Sequence, residues 1–424
     1  MANYSSVTTY GDFGPWISKV VLALPASVDD RDVAADAFSV YCERLTSAGE
    51  VATVVERPSL QTHPSRGYVP VLAAYACDEQ GQRCPEGTHV ALELPEVELT
   101  SRINVASVTA AEYVENRFVV TQTAPVPTAE GPVVGLVFDT CTGVAEPALA
   151  GWSHGRGGSG EYELGYACFD PHQGDAEREP KSSALIVWLH GASDGGTDVR
   201  LPYTASHVTL LGEAKVQGHF KGGAWLLVPQ CPTFWMDDGV EQMGRSGKSI
   251  YSESLKSLID EFVAAHADID PDRVVVGGLS NGGFMTLRML IDYPGYFSAG
   301  VGSCAPLYEE AQTPEVVAAI AKTPLWLVQS KDDFIVDATQ TVFPLYGKLV
   351  AAGADVHLTC YEHVFDMTGQ YKDANGNPRR NFGHGVWIHV FNDFCNTELD
   401  GRNVLVDGRP VTIWEWAALQ VRHD

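Results

Sequence analysis

The sequence predicts two domains: an all-β sandwich, then an α/β domain built on a mostly parallel, doubly wound sheet. Three observations predict this. The 424 residues exceed one ordinary domain. The rhythm of the chain changes near residue 130, from short strand-like runs to alternating strands and helices. The strands of the second region are almost continuously apolar, as strands covered on both faces must be.

From Trp16 to Thr123 the runs WISKVVLALP, AFSVYCERL, VATVVERP, GYVPVLAAYA, HVALELP and RFVVTQT are rich in β-branched and aromatic residues. Turn-forming pieces such as TSAGE and DEQGQRCPEG separate them. In AFSVYCERL, Phe38, Val40 and Cys42 alternate with Ser39, Tyr41 and Glu43, the period of a half-buried strand. Strands this short and closely spaced predict an antiparallel sandwich of immunoglobulin-like type. APVPTAEGP, with Pro125, Pro127 and Pro132, reads as a linker, which sets the expected domains at 1–128 and 129–424. GWSHGRGGSG reads as a mobile glycine-rich loop.

Beyond it, SALIVWLHG, AWLLVPQCP, RVVVGGLS, SAGVGSCAP, PLWLVQSKDD and DVHLTCYEH are the expected parallel strands. Between them, SIYSESLKSLIDEFVAAH puts Leu255, Leu258, Ile259, Phe262 and Val263 on one helical face. Sheets of this kind carry their sites at the carboxyl ends of the strands.

Composition narrows the function. With 28 basic and 54 acidic residues the net charge is −26, which excludes nucleic acid and anionic membrane surfaces as partners. No apolar run approaches the ~18 residues of a membrane helix. The opening MANYSSVTTYGDFGPW has no basic segment followed by an apolar one, so the expected location is cytoplasmic, or secreted if a signal has been removed. The nine cysteines are odd in number and thinly spread, and no C-x-x-C or H-E-x-x-H motif occurs. They read as small buried hydrophobes, and no metal is expected. Cys77 and Cys84 flank a turn and could pair if the chain is exported.

The chemistry lies at three strand ends. Gly278-Leu279-Ser280-Asn281-Gly282 is G-x-S-x-G, after the strand RVVV and before the helical run FMTLRMLIDYP. Such an elbow needs small flanking residues, lifts a serine hydroxyl above the sheet, and aims the next amide, that of Asn281, at a forming oxyanion. A nucleophilic serine needs a base, and the base an orienting carboxylate. On this fold the acid and then the histidine follow the serine in sequence. His357, His363, His384, His389 and His423 satisfy that order. His384, between Gly383 and Gly385 in a loop, is preferred as base, with His363 as the alternative. In the loop after PLWLVQS, Asp333 is preferred as acid over Asp332, which is then left solvated or capping a helix; Asp337 is further along. The turn Leu189-His190-Gly191-Ala192 should supply the second oxyanion donor, Ala192 preferred to Gly191. His190 precedes the serine and is read as shaping that turn.

Together these residues resemble the serine-esterase branch of the α/β-hydrolase superfamily. WLHGASDGGTD, VPQCPTFWMDDG, GLSNGG, SKDDFIV and GHGVWIHVFND follow, in order, the pattern of bacterial esterases similar to polyhydroxybutyrate depolymerases and feruloyl esterases. A subgroup, the EstA-like esterases, carries an immunoglobulin-like domain before the catalytic one, the layout this chain resembles. The resemblance implies a triad of Ser280, Asp333 and His384, and an oxyanion hole at Asn281 and the HGA turn. It further implies that Gln230, Cys231, Pro232 and Trp235 border the acyl or leaving-group pocket, with ordinary strand-end packing as the equal alternative. TGQYKDANGNPRRN ahead of His384 reads as a rim over the site.

The implied reaction is hydrolysis of a carboxylic ester, small or oligomeric, through an acyl-enzyme, without metal or organic cofactor. Two other readings compete. A peptidase of prolyl-oligopeptidase type shares the fold and triad, but about 130 residues are too few for its propeller. A non-catalytic binding protein on a hydrolase scaffold would not need all three triad residue types. GRSGKS is not a Walker A loop, because Gln242 stands where that motif needs glycine. The N-terminal domain is expected to shield the catalytic domain and help form a homo-oligomer, rather than to bind a polymer or glycan.

Overall fold

A computed structural model describes residues 2–12, 14–55, 62–96, 102–104, 111–159, 161–173 and 179–422. The chain divides into two compact units, 1–150 and 151–424. The break falls later than the expected 128/129. The reason is a strand at Val137–Ala145, which pairs in parallel with Ala2–Gly11 and antiparallel with Glu115–Gln122. Val126 and Val133 bridge to one another, so part of the expected linker is folded back on itself. His423, one of the histidines considered, lies outside the described residues.

The first unit is an immunoglobulin-like β-sandwich. Its eight-stranded ladder runs 66–69, 38–45, 115–122, 137–145, 2–11, 14–29, 86–93, 73–77. Phe38, Val40 and Cys42 are buried, as their alternation requires. They share a core with Phe118 and Val120 on one side and Val20, Leu22, Val90 and Leu92 on the other. The first strand, ANYSSVTTYG, is too polar to announce itself by hydropathy, yet Tyr4 is buried against Phe118 and its hydroxyl accepts the Phe118 amide. All nine cysteines are free, Cys77 and Cys84 included.

The second unit holds an eight-stranded sheet: β1 (Trp152–Gly157), β2 (Leu164–Phe169), β3 (Ser183–Leu189), β4 (Ala224–Gln230), β5 (Ile269–Leu279), β6 (Ala299–Ser303), β7 (Leu325–Ser330) and β8 (Val356–Tyr361). Their spatial order is β1-β2-β4-β3-β5-β6-β7-β8. From β4 to β8 all pairs are parallel, while β2 is antiparallel to both neighbours. β3, β4, β6 and β7 are buried at every position, which explains their unbroken apolar runs. Helix α1 (Ser252–Ala265) buries Leu255, Leu258, Ile259 and Phe262, and α2 (Asn281–Asp292) leaves the elbow.

The expected mobile loop GWSHGRGGSG is instead largely β1. Its glycines serve close approach rather than mobility. A Cβ at Gly158 (φ +91°) would lie 2.7 Å from the Ser254 carbonyl oxygen of α1. The Gly158 amide donates to Glu261, and that of Ser159 to Ser257, so the segment is anchored to α1. Among the described residues no helix is long and apolar enough to cross a membrane.

Candidate active site

The site gathers at the carboxyl ends of β3, β5, β6 and β7. Ser280 ends β5 with φ +53° and ψ −117°, a backbone strained for a residue with a side chain. The flanking glycines are sterically required. A Cβ at Gly278 would lie 2.5 Å from the Gly282 carbonyl, and one at Gly282 would lie 1.9 Å from the Leu189 carbonyl oxygen. The Ser280 amide donates to the Ser303 carbonyl of β6, and α2 starts at the next residue.

His384 comes from a tight turn at Gly383–Val386, followed by α3 (Trp387–Phe391). Gly383 is needed because a Cβ there would meet the Asp332 backbone at 2.6 Å. His384 is 6% exposed, and Trp387 lies edge-on to its ring at 5.5 Å. Its Nε2 is 2.9 Å from Ser280 Oγ, and its Nδ1 is 2.8 Å from Asp333 Oδ2. This relay joins residues 104 and 51 positions apart in sequence.

Asp333 is fixed from two sides. Its Oδ1 accepts the amides of Ile335 and Val336, both at 2.9 Å. Its Oδ2 also accepts Gln329 Nε2 at 3.3 Å. Burial alone would push the His384 imidazole down; the neighbouring Cys304 thiol and the Asp333 carboxylate outweigh it and hold the pKa above its ordinary value.

Asp332, the alternative acid, points elsewhere. It caps no helix among the described residues, and its carboxylate is part-exposed and paired rather than freely solvated. It accepts His363 Nδ1 and an Arg380 guanidinium nitrogen, each at 2.8 Å, and the Ser330 hydroxyl. Burial alone would raise its carboxyl, but these bonds prevail and hold it at about 2. His363 is thereby committed to Asp332 in an exposed pair. Asp337 caps the turn at 338–340 through the Thr339 amide.

The turn after β3 places Gly191 ahead of a single 3₁₀ turn, Ala192–Asp194. His190 is buried and shapes it: Nδ1 meets the Gly191 carbonyl at 2.7 Å, and Nε2 accepts the Cys231 amide at 3.2 Å. Burial pushes its pKa down. The Asn281 side chain turns into the protein, where Oδ1 accepts the Trp235 amide at 2.6 Å and Nδ2 meets Met243 Sδ at 3.6 Å. This leaves the position's backbone as its contribution to the site.

Gln230 and Trp235 are 2% and 0% exposed. Gln230 Nε2 donates to the Asp194 carbonyl, and Trp235 packs on His190 and Tyr251. Both brace the turn that carries Ala192 rather than presenting an open wall. One neighbour of the relay was not singled out in the sequence. Cys304, at the end of β6, is fully buried with φ +40°. Its Sγ, a carboxylate oxygen of Asp333 and a ring nitrogen of His384 lie within 4.8 Å of one another. The signal available was its position at a strand end beside the elbow strand.

Comparison with known proteins agrees with this architecture. Residues 3–135 match the esterase Ig-like N-terminal domain, and residues 228–368 match the phospholipase/carboxylesterase family. The second match includes Ser280 and Asp333; His384 lies beyond it. Poly(3-hydroxyalkanoate) depolymerase C of Paucimonas lemoignei is 32% identical over 127 residues, 28% of this chain and 27% of that protein. The alignment thus spans about a quarter of that relative's length. The crystal structure of a thermostable esterase superposes with a TM-score of 0.75 at 20% identity, covering 99% of this chain and 100% of the other. The first domain is therefore of the esterase immunoglobulin-like class, and the second is an α/β-hydrolase domain of carboxylesterase type.

Proposed function

We propose that the chain is a serine carboxylic ester hydrolase with Ser280 as nucleophile, His384 as general base and acid, and Asp333 as orienting carboxylate. The observation that carries this reading is the continuous relay from Ser280 Oγ through His384 to Asp333, at 2.9 and 2.8 Å. It rests on the elbow strain at Ser280 and on a carboxylesterase-type domain.

In this mechanism neutral His384 carries its proton on Nδ1, toward Asp333, leaving the Nε2 lone pair for the serine proton. Ser280 attacks the ester carbonyl as His384 takes that proton. The negative oxygen of the tetrahedral intermediate is met by the backbone amides of Asn281 and Ala192. One such donor is worth about 3–4 kcal/mol in the transition state. The imidazolium then protonates the leaving alcohol, and water repeats the sequence on the acyl-enzyme. Raising the imidazole pKa strengthens the base, and the buried Asp333 steadies the charge that develops on it.

The substrate is read as an uncharged ester, of short-chain, feruloyl or polyester type; the net charge of −26 disfavours anionic ones. The relative named as a poly(3-hydroxyalkanoate) depolymerase supports including polyester oligomers.

The test is a panel of p-nitrophenyl esters of rising acyl length together with feruloyl and hydroxyalkanoate esters. Ser280→Ala should abolish turnover of all of them and labelling by a fluorophosphonate, with unchanged thermal unfolding. Residual turnover near the parent rate in that variant would end this reading.

A further inference from the structure

Three donors of different chemistry converge at the relay, two of them its own members, although no spacing motif joins them in sequence. Cys304 follows β6, Asp333 follows β7 and His384 lies in the turn before α3. All three are buried, and one donor atom from each lies within 4.8 Å of the other two. Tetrahedral zinc holds its ligands ~3.3–3.8 Å apart, so rotamer shifts of about 1 Å would close the set. The Cys304 main chain is fixed: its amide donates to the Val328 carbonyl at 2.9 Å, and its backbone is held left-handed. Asp333 is anchored by two backbone amides and Gln329.

The donor set also selects the cation. A thiolate, an imidazole and one carboxylate oxygen suit zinc or cadmium, and they do not suit magnesium or calcium, which want oxygen ligands. We propose that Cys304, Asp333 and His384 form a binding site for a thiophilic divalent cation, and that its occupancy switches hydrolysis off.

The chemistry balances without a co-reactant. The cation takes the sulfur of Cys304, whose thiol proton leaves to solvent. It takes one Asp333 oxygen and the Nδ1 lone pair of His384. The ring proton moves from Nδ1 to Nε2, so the imidazole keeps one proton and stays neutral. Nε2 then carries a hydrogen toward Ser280 and has no lone pair for the serine proton. Occupancy and activity exclude each other because one imidazole serves both. The loss of hydrolysis rests on the ester hydrolase reading; binding itself does not.

The test uses the full chain and Cd²⁺, with Mg²⁺ as the hard-cation control. Two readouts are followed: the thiolate-to-cadmium charge-transfer absorbance, and turnover of p-nitrophenyl acetate referred to each variant's own metal-free rate. Cd²⁺ should inhibit the parent chain reversibly on adding chelator, whereas Mg²⁺ should not. Cys304→Ala should raise the Cd²⁺ concentration for half-inhibition at least tenfold and remove one thiolate's share of the absorbance. Cys304→Ser serves the same comparison if the alanine variant does not fold. Ser280→Ala, inactive under the ester reading but keeping all three donors, should retain the full absorbance. The site is overturned if the Cys304 variants match the parent in both readouts, or if Cd²⁺ leaves the parent active. A failed ester reading would instead leave the Cd²⁺ absorbance dependent on Cys304 while Ser280→Ala still turns over ester.

Discussion

Asp333→Asn is the substitution whose outcome the structure fixes most closely. The carboxylate faces four donors: two backbone amides on Oδ1, and His384 Nδ1 with Gln329 Nε2 on Oδ2. An asparagine must aim its NH₂ at one pair. Toward the Oδ1 side it would orphan two backbone amides, at roughly 1–3 kcal/mol each. Toward the Oδ2 side the losses are smaller. Gln329 Nε2 keeps the Ser330 and Val336 carbonyls, both at 3.2 Å. His384 can adapt by moving its proton from Nδ1 to Nε2. The amide nitrogen therefore faces His384, and the imidazole is left with a hydrogen toward Ser280. Loss of the correct tautomer costs about 10⁴-fold in turnover, which is about 5.5 kcal/mol in the barrier. The assay is kcat/KM for p-nitrophenyl acetate, with circular dichroism and thermal unfolding to show an intact fold. Asp332→Asn is the control and should lose far less, because Asp332 serves His363 and Arg380. An Asp333→Asn enzyme keeping more than a tenth of parent activity would refute this account of the relay.

Further outcomes follow from the same geometry. His384→Ala should reduce kcat/KM nearly as far as Ser280→Ala, and His363→Ala should leave most of it; the opposite ranking in a steady-state assay would reassign the base. Because the base form of His384 is needed and its pKa is raised, kcat/KM should rise with pH through a limb above the ordinary histidine value of about 6.5; a limb below that value in a pH–rate profile would contradict the raised pKa. Gly158→Ala introduces a Cβ at positive φ against the Ser254 carbonyl and should destabilise the second unit by roughly 1–3 kcal/mol; an unchanged urea midpoint for that unit would show that the segment is not packed on α1.

Where the sequence misled, the cause can be named. GWSHGRGGSG looks like a loop because glycine usually marks chain freedom, but here the missing side chains make room for α1. ANYSSVTTYG lacks an apolar alternation strong enough to read, yet it pairs with two strands, one of them more than a hundred residues away. The Pro-rich stretch near 130 suggested a boundary because proline interrupts ladders. The next strand nonetheless returns to the first sheet, so the compact unit runs to Ala150. Asn281 gave no hint that its side chain would be spent on the Trp235 amide.

The sequence by itself determined the strand–elbow–helix at Ser280 and the doubly wound rhythm of the second domain. Both are local facts. The elbow is marked by a motif five residues long, and hydrophobic period records which faces of one strand or helix are covered. It also limited the acid and the base to a few candidates by chain order. The tertiary structure shows which of them meet: His384 lies within hydrogen-bond distance of both Ser280 and Asp333. Asp332 and Asp333 are adjacent in sequence, but successive side chains in the loop leave in different directions, one toward His363 and Arg380 and one toward His384. The same packing brought Cys304 to the relay. No local pattern encodes that meeting, because it depends on how the ends of β6 and β7 and the turn before α3 come together across 80 residues of chain, from Cys304 to His384.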